Sequence, residues 1–273
     1  MSSAAAGSSQ TAQFMELVQQ QAPTLHQFLA WAADCEKSAP RSSLRIEHRT
    51  DVARCRGALH YFREAWWGVA VYSCFDSLIG TAAVAPYFAE PLDASSAEEI
   101  IAAIVFPPSS VQGHRAQATL KRAKMAMASI CNHAVELKEI LSVRGATFEE
   151  RFDTLSALGI AGWKRTTNFD CLLRAGLITE VGGGLYRPGL AHLNGSTGPR
   201  NGFYQIWGIA VDDSNESRCE ELLHLWTSNW HEIAAYVGVE WNASPFDSAD
   251  LENALCIFQE RPKRDFPNPA HYP

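Results

Sequence analysis

From Cys219 to Val237 the chain sets Leu222, Leu223, Trp226, Trp230, Ile233 and Val237 along one stripe at helical spacing and then meets Gly238. A stripe of that width must be buried against other helices, and a glycine just past it suits a left-handed cap. The same periodicity recurs elsewhere, whereas strand alternation is hard to find. Phe14, Leu17, Leu25, Phe28, Leu29 and Trp31 read as an opening helix pair broken near Pro23, and apolar-periodic stretches follow around 51 to 64 and 115 to 141. Three hydroxyl–carboxylate pairs at capping-box spacing, Ser95 with Glu98, Thr147 with Glu150 and Ser217 with Glu220, predict helix starts. Pro86, Pro91, the Pro107-Pro108-Ser109-Ser110 run, Gly182 to Gly184 and the tail from Pro262 punctuate the pattern as loops. The expected fold class is all-α, with roughly nine to twelve helices at ordinary helix lengths.

A chain of 273 residues with 47% hydrophobic content can bury a full core. The first dozen residues are small and polar, so 1–12 is expected to be a disordered tail. Residues 13–273 are expected to form a single helical domain, or two lobes divided into 13–146 and 147–273. No signal-peptide pattern and no uninterrupted apolar span is seen, which points to a cytoplasmic protein without a membrane partner. No obligatory protein partner is implied. The seven cysteines are scattered, odd in number and never in C-x-x-C spacing, so reduced and mostly buried thiols are expected. The nine histidines, His192, His224 and His231 among them, show no ligand spacing, and no metal or other cofactor is expected. Neither a phosphate-binding G-x-x-x-x-G-K-[ST] loop nor a dinucleotide G-x-G-x-x-G fingerprint occurs.

The net charge of −7 runs against binding to a phosphate backbone, but its distribution is uneven. Between Gln112 and Arg165 nine basic residues face five acidic ones, so this stretch is locally positive. A basic face tracking DNA and a solvated helix surface both fit that pattern. The same stretch leads into the most informative segment, Leu155 to Leu177, LSALGIAGWKRTTNFDCLLRAGL. Here a helix ends in a short glycine-bearing turn and a second helix begins at once. Gly159 and Gly162 would let the backbone approach a partner. Unpaired N–H groups at the second helix start, beside Trp163, Lys164, Arg165 and Thr166, suit a phosphate oxygen. Arg115 and Lys121 would extend this DNA-binding set. On spacing alone an ordinary helix corner is an equal reading.

The stretch LGIAGWKRT resembles the helix-hairpin-helix of base-excision DNA glycosylases. Together, FDCLLRAGL (169–177), HLNGSTGPRNGFYQIWG (192–208) and DLENALCIF (250–258) are similar to a glycosylase-like family, the alpha-glutamyl/putrescinyl thymine pyrophosphorylases. That resemblance spans about Phe148 to Phe258. It implies a helix-hairpin-helix glycosylase-like helical domain and a partner in hypermodified phage DNA. It also implies a monofunctional DNA glycosylase that flips a bulky modified pyrimidine, glucosylated hydroxymethylcytosine as the first guess, and leaves an abasic site in anti-phage defence. A transferase that installs such a substituent and a non-catalytic DNA-binding module are the alternatives. Bifunctional glycosylases use a Schiff-base lysine at the hairpin, and Lys164 is near that region, but a lysine there also reads as a phosphate contact.

The better-known glycosylases place a catalytic aspartate shortly beyond the hairpin, yet no aspartate occurs from Cys171 to Ala210. The carboxylate that stabilises an oxocarbenium-like sugar must then come from Asp250, Glu252 or Asp170. Asp247 and Asp250 are equally readable as helix-start acids favoured by the macrodipole. Gly195, Gly198 and Arg200 read as a loop lining the base pocket or gripping a flipped nucleotide, or else as a surface turn. Trp241 is the aromatic candidate for that pocket, whereas Trp226 and Trp230 belong to the core stripe.

Overall fold

In the computed structural model the described residues are 3–38, 44–111, 119–142, 145–181, 186–193 and 197–259, with side chains from residue 12 onward. The chain divides into two compact units. One joins residues 1–48 to 189–273 and the other is the continuous segment 49–188, so the units do not follow the 146/147 division of the chain. Among the described residues there are fourteen α-helices and no strand, above the nine to twelve helices expected.

The discontinuous unit holds α1 (Ser3–Gln20), α2 (Ala22–Lys37), α11 (Thr197–Trp207), α12 (Glu216–Ser228), α13 (Trp230–Tyr236) and α14 (Ser248–Phe258). Helix α1 thus begins within the stretch expected to be a tail. It hands over to α2 at Gln21, and Pro23 lies in the first turn of α2, where its missing N–H has no acceptor to lose. The single helix read from Cys219 to Val237 is two, broken at Asn229, which caps both. The stripe survives the break because Trp226 and Trp230 remain stacked, with ring centroids 5.7 Å apart. Trp207, Phe28 and Trp241 join them edge-on at about 5 Å, a favoured aromatic geometry, and Phe246 stands edge-on to Trp241. Gly238 takes the expected left-handed conformation, with φ of 75°.

The continuous unit holds α3 (Thr50–Ala58), α4 (Ala65–Phe75), α5 (Leu78–Val84), α6 (Ala94–Ala103), α7 (Leu120–Asn132), α8 (Ala134–Ser142), α9 (Phe148–Ala157) and α10 (Arg165–Leu177). Its centre is α4, AWWGVAVYSCF, in which Trp66 to Ser73 and Phe75 are all buried. A helix apolar all round must be surrounded, and α4 packs against α3, α5, α7, α8 and α10. Among the described residues no single helix is long and apolar enough to cross a membrane.

Of the three expected capping boxes, only Thr147 with Glu150 forms as one. Helix α6 starts earlier, at Ala94, with the Asp93 carboxylate accepting from Ser96 N–H. This places Ser95 inside the first turn. Helix α12 starts at Glu216, and Glu220 is buried away from any cap.

Candidate functional site

The hairpin of the continuous unit is built from the cap inward. Thr147 N–H donates to Glu150 Oε2 at 2.8 Å and Glu150 N–H to Thr147 Oγ1 at 3.2 Å, fixing the start of α9. Phe169 of α10 meets Phe148 of α9 at 5.3 Å, and Asn168 Nδ2 donates to Ser156 Oγ at 3.2 Å, closing the pair. The turn between them runs from Leu158 to Lys164. Gly159 (φ 63°) and Gly162 (φ 82°) are both left-handed, where a side chain would be strained. Ile160 plugs the turn inward and is buried, while Gly159, Ala161 and Lys164 are exposed.

The two glycines serve different ends. A Cβ on Gly159 would meet nothing within 4 Å, so this corner is open to an outside partner. A Cβ on Gly162 would lie 2.6 Å from the Arg122 carbonyl oxygen of α7, so its close approach is to the chain's own backbone. Lys164 caps α10 in an extended conformation without a side-chain cap hydrogen bond. The Lys164 carbonyl accepts from Thr167 N–H at 2.8 Å and from Asn168 N–H at 3.0 Å, and the start of α10 carries the positive end of the helix dipole. Arg165 lies over the Phe152 ring at 5.7 Å, Thr166 is half-buried beside it, and Lys121 is exposed in the first turn of α7. Trp163, for which exposure is the expectation, is instead half-buried with its indole N–H beside the Cys74 sulfur. Burial pushes that thiol well above its ordinary pKa. Arg115 lies outside the described residues.

The carboxylate candidates separate between the two units. In the continuous unit Asp170 is buried on α10, with Arg49 Nη2 3.4 Å away. Arg49 also pairs with Asp51 at 2.8 Å, and Asp51 and Asp76 both reach the fully buried Arg174, at 3.0 and 2.6 Å. Burial would raise the Asp51 pKa, but Arg49 and Arg174 outweigh it and hold the carboxyl well below the usual range. Burial likewise opposes the Arg174 charge, and the two aspartates overcome it. Asp170 therefore belongs to a connected ionic network.

Asp250 has a comparable setting in the discontinuous unit. Its carboxylate accepts from Arg45 Nη1 at 2.9 Å and from Ile46 N–H at 3.0 Å. Arg45 also pairs with Glu36 at 3.0 Å and lies over the Phe246 ring. Burial disfavours the Arg45 charge, yet Glu36 and Asp250 hold its pKa above the ordinary value. Asp247 caps α14 by accepting from Asp250 N–H at 2.8 Å. Glu252 is buried two residues further along that helix.

The glycine-rich loop is rearranged relative to its reading as a pocket. Thr197 to Trp207 is helix, and the glycines at 198 and 202 share one face of it against α14. A Cβ on Gly198 would stand 2.5 Å from Cys256 Sγ, and one on Gly202 would stand 2.2 Å from the Leu255 carbonyl oxygen. These glycines let two helices touch. Arg200 is half-buried on α11, and Gly195 lies outside the described residues. Trp241 is buried against Trp230 and Phe246, donating its indole N–H to Ser244 O at 3.2 Å, so it faces the aromatic core.

Sequence reasoning missed Arg45, Arg49 and Arg174, and with them the organisation of both ionic clusters. It read Glu220 as a capping carboxylate, whereas its buried carboxylate accepts from Ala191 N–H at 2.8 Å and Leu193 N–H at 2.9 Å. Between those amides His192 is left-handed at φ 52°, an uncommon conformation for a non-glycine residue. An available signal was Arg174 itself, which stands with Asp170 as a charge in the run Asn168 to Gly176, all of it buried. All seven cysteines are free thiols, and burial pushes Cys171 up to about 12. Among the described residues no group of three His, Cys, Asp or Glu side chains could hold a metal ion.

Comparison with protein-family models, with curated proteins and with solved structures finds no match to this chain.

Proposed function

We propose that the chain binds duplex DNA through the α9–α10 hairpin and acts there as a glycosylase on a bulky modified pyrimidine. The observation that carries this reading is the hairpin turn. An open left-handed glycine, an exposed Lys164 and the positive dipole end of α10 lie together at one corner, a combination that suits a phosphate. Such contacts are independent of sequence, and they suit an enzyme that extrudes a base before acting on it. The resemblance of 155–177 and of the α11 and α14 segments to glycosylase-like proteins supplies the reaction class.

Hydrolysis of the N-glycosidic bond needs negative charge beside a sugar that becomes oxocarbenium-like. Residues two apart on a helix diverge by about 200°, so Asp250 and Glu252 cannot face one sugar together. Asp250 is turned to Arg45 and Ile46, and we assign the catalytic carboxylate to Glu252. The ion pairs of Asp170 and Asp250 favour a second reading, a DNA-binding module in which these acids are structural.

Incubation with unmodified DNA and with DNA carrying glucosylated hydroxymethylcytosine, followed by alkaline cleavage and mass spectrometry, separates the readings. Free modified base and alkali-labile sites, both lost in Glu252→Gln without loss of DNA binding, are expected of the glycosylase. Intact DNA bound tightly would leave the binding module.

A further inference from the structure

Helix α7 lies against the hairpin turn through residues spaced four and three apart on one face. Arg122 Nη2 donates to the Gly162 carbonyl oxygen at 3.0 Å. The Arg122 main-chain carbonyl closes on Gly162 from behind, where no side chain fits, and Ala126 Cβ lies within contact distance of the same point. One turn further, buried Ser129 presents its Oγ to the Ala161 N–H at 3.0 Å. Within the turn Gly159 N–H donates to Ser156 O and Trp163 N–H to Ile160 O, each at over 3 Å. Its two left-handed glycines are also the most freely rotating positions in the segment.

We propose that Arg122 and Ser129 are positioning residues that brace the hairpin turn, so that its open Gly159 corner and the start of α10 are already in place before DNA arrives. The proposal rests on the hairpin's role in DNA binding and deepens it. The guanidinium of Arg122 is spent on Gly162 rather than on a phosphate, and Ser129 is buried and has no charge to lend. Preorganisation of this kind lowers the ordering cost of binding, so its loss weakens affinity without removing a charge contact. An exposed lysine at the same turn behaves differently, because each phosphate it neutralises releases counterions and steepens the salt dependence.

The test takes the full chain and its Arg122→Ala and Ser129→Ala variants through two measurements. Hydrogen exchange without DNA reads the Ala161 and Trp163 amides. Fluorescence anisotropy with a labelled duplex reads affinity across a salt series. Both variants are expected to expose those two amides to faster exchange while the core of the unit stays protected, and to bind about tenfold more weakly with the wild-type salt slope. Arg122→Ala with unchanged exchange and a slope reduced by about one would make Arg122 a phosphate contact and overturn the brace. Wild-type exchange and affinity in both variants would overturn it as well. If the wild-type chain does not bind duplex DNA, the hairpin reading fails and the positioning role with it. The exchange data then report separately whether α7 holds the turn.

Discussion

Replacing Gly202 by alanine would put a methyl group 2.2 Å from the Leu255 carbonyl oxygen, 2.8 Å from its carbon and 3.0 Å from its Cα. Comfortable contact lies near 3.5 Å, so the two backbones must part locally by about 1 Å. Both sides of the contact are main chain within helices, so no side-chain rotation relieves it. Overpacking of this kind costs about 1–3 kcal/mol, and the upper end applies where backbone must move. Alanine returns about 1 kcal/mol in helix propensity, leaving a net loss of about 2 kcal/mol. With an ordinary denaturant slope the urea midpoint should fall by roughly 1 M. Tryptophan fluorescence is weighted toward the correct unit, because five of the eight tryptophans, Trp31, Trp207, Trp226, Trp230 and Trp241, lie in the discontinuous one. Gly57→Ala in α3 is the control, since nothing lies within 4 Å of its added Cβ, and it should leave stability unchanged or raise it slightly. A Gly202→Ala chain as stable as the wild type would refute the packing role of α11 and return its glycines to the ligand-loop reading.

Three further outcomes follow from the ionic clusters and the cap. Asp250→Asn removes one of the two carboxylates that pair with Arg45 at 3.0 Å or less, Glu36 being the other, and should cost about 1–3 kcal/mol in urea unfolding, a loss that a purely catalytic residue would not show. Asp51 has a depressed pKa, so its stabilisation is complete above about pH 4, the unfolded carboxyl range, and fades as pH falls below it. Urea midpoints measured from pH 7 down to pH 3 should therefore decline less steeply in Asp51→Asn than in the wild type, from a lower start. Glu220→Ala orphans two buried amides at about 1–3 kcal/mol each, and hydrogen exchange at Ala191 and Leu193 should accelerate together.

What could be read from the sequence is what depends on near neighbours. The Thr147 cap, the helix break beside Pro23, the left-handed Gly238 and the hairpin from Phe148 to Leu177 each rest on residues within a few positions of one another. The stripe through Trp226 and Trp230 was legible as burial, though not as two helices, because Asn229 interrupts the hydrogen bonding without disturbing the spacing of the rings. The candidate site was less legible because its decisive partners are distant. Arg45 and Asp250 are 205 residues apart, and Arg49 and Asp170 are 121 apart. Gly198 and Gly202 mislead for a related reason, since a small residue needed for helix contact has the same letter as one needed for a ligand loop. Gly162 combines both problems. Its conformation follows from the turn, but the Arg122 backbone that requires it lies forty residues upstream.

The measurement that bears most directly on the account is duplex affinity as a function of salt for the wild-type chain and for Lys164→Ala. The account predicts binding that does not depend on sequence and weakens log-linearly with salt, with a slope shallower by about one in the variant. Absence of binding at low salt, or a Lys164→Ala chain with the wild-type slope and affinity, would contradict the hairpin as the DNA-anchoring element.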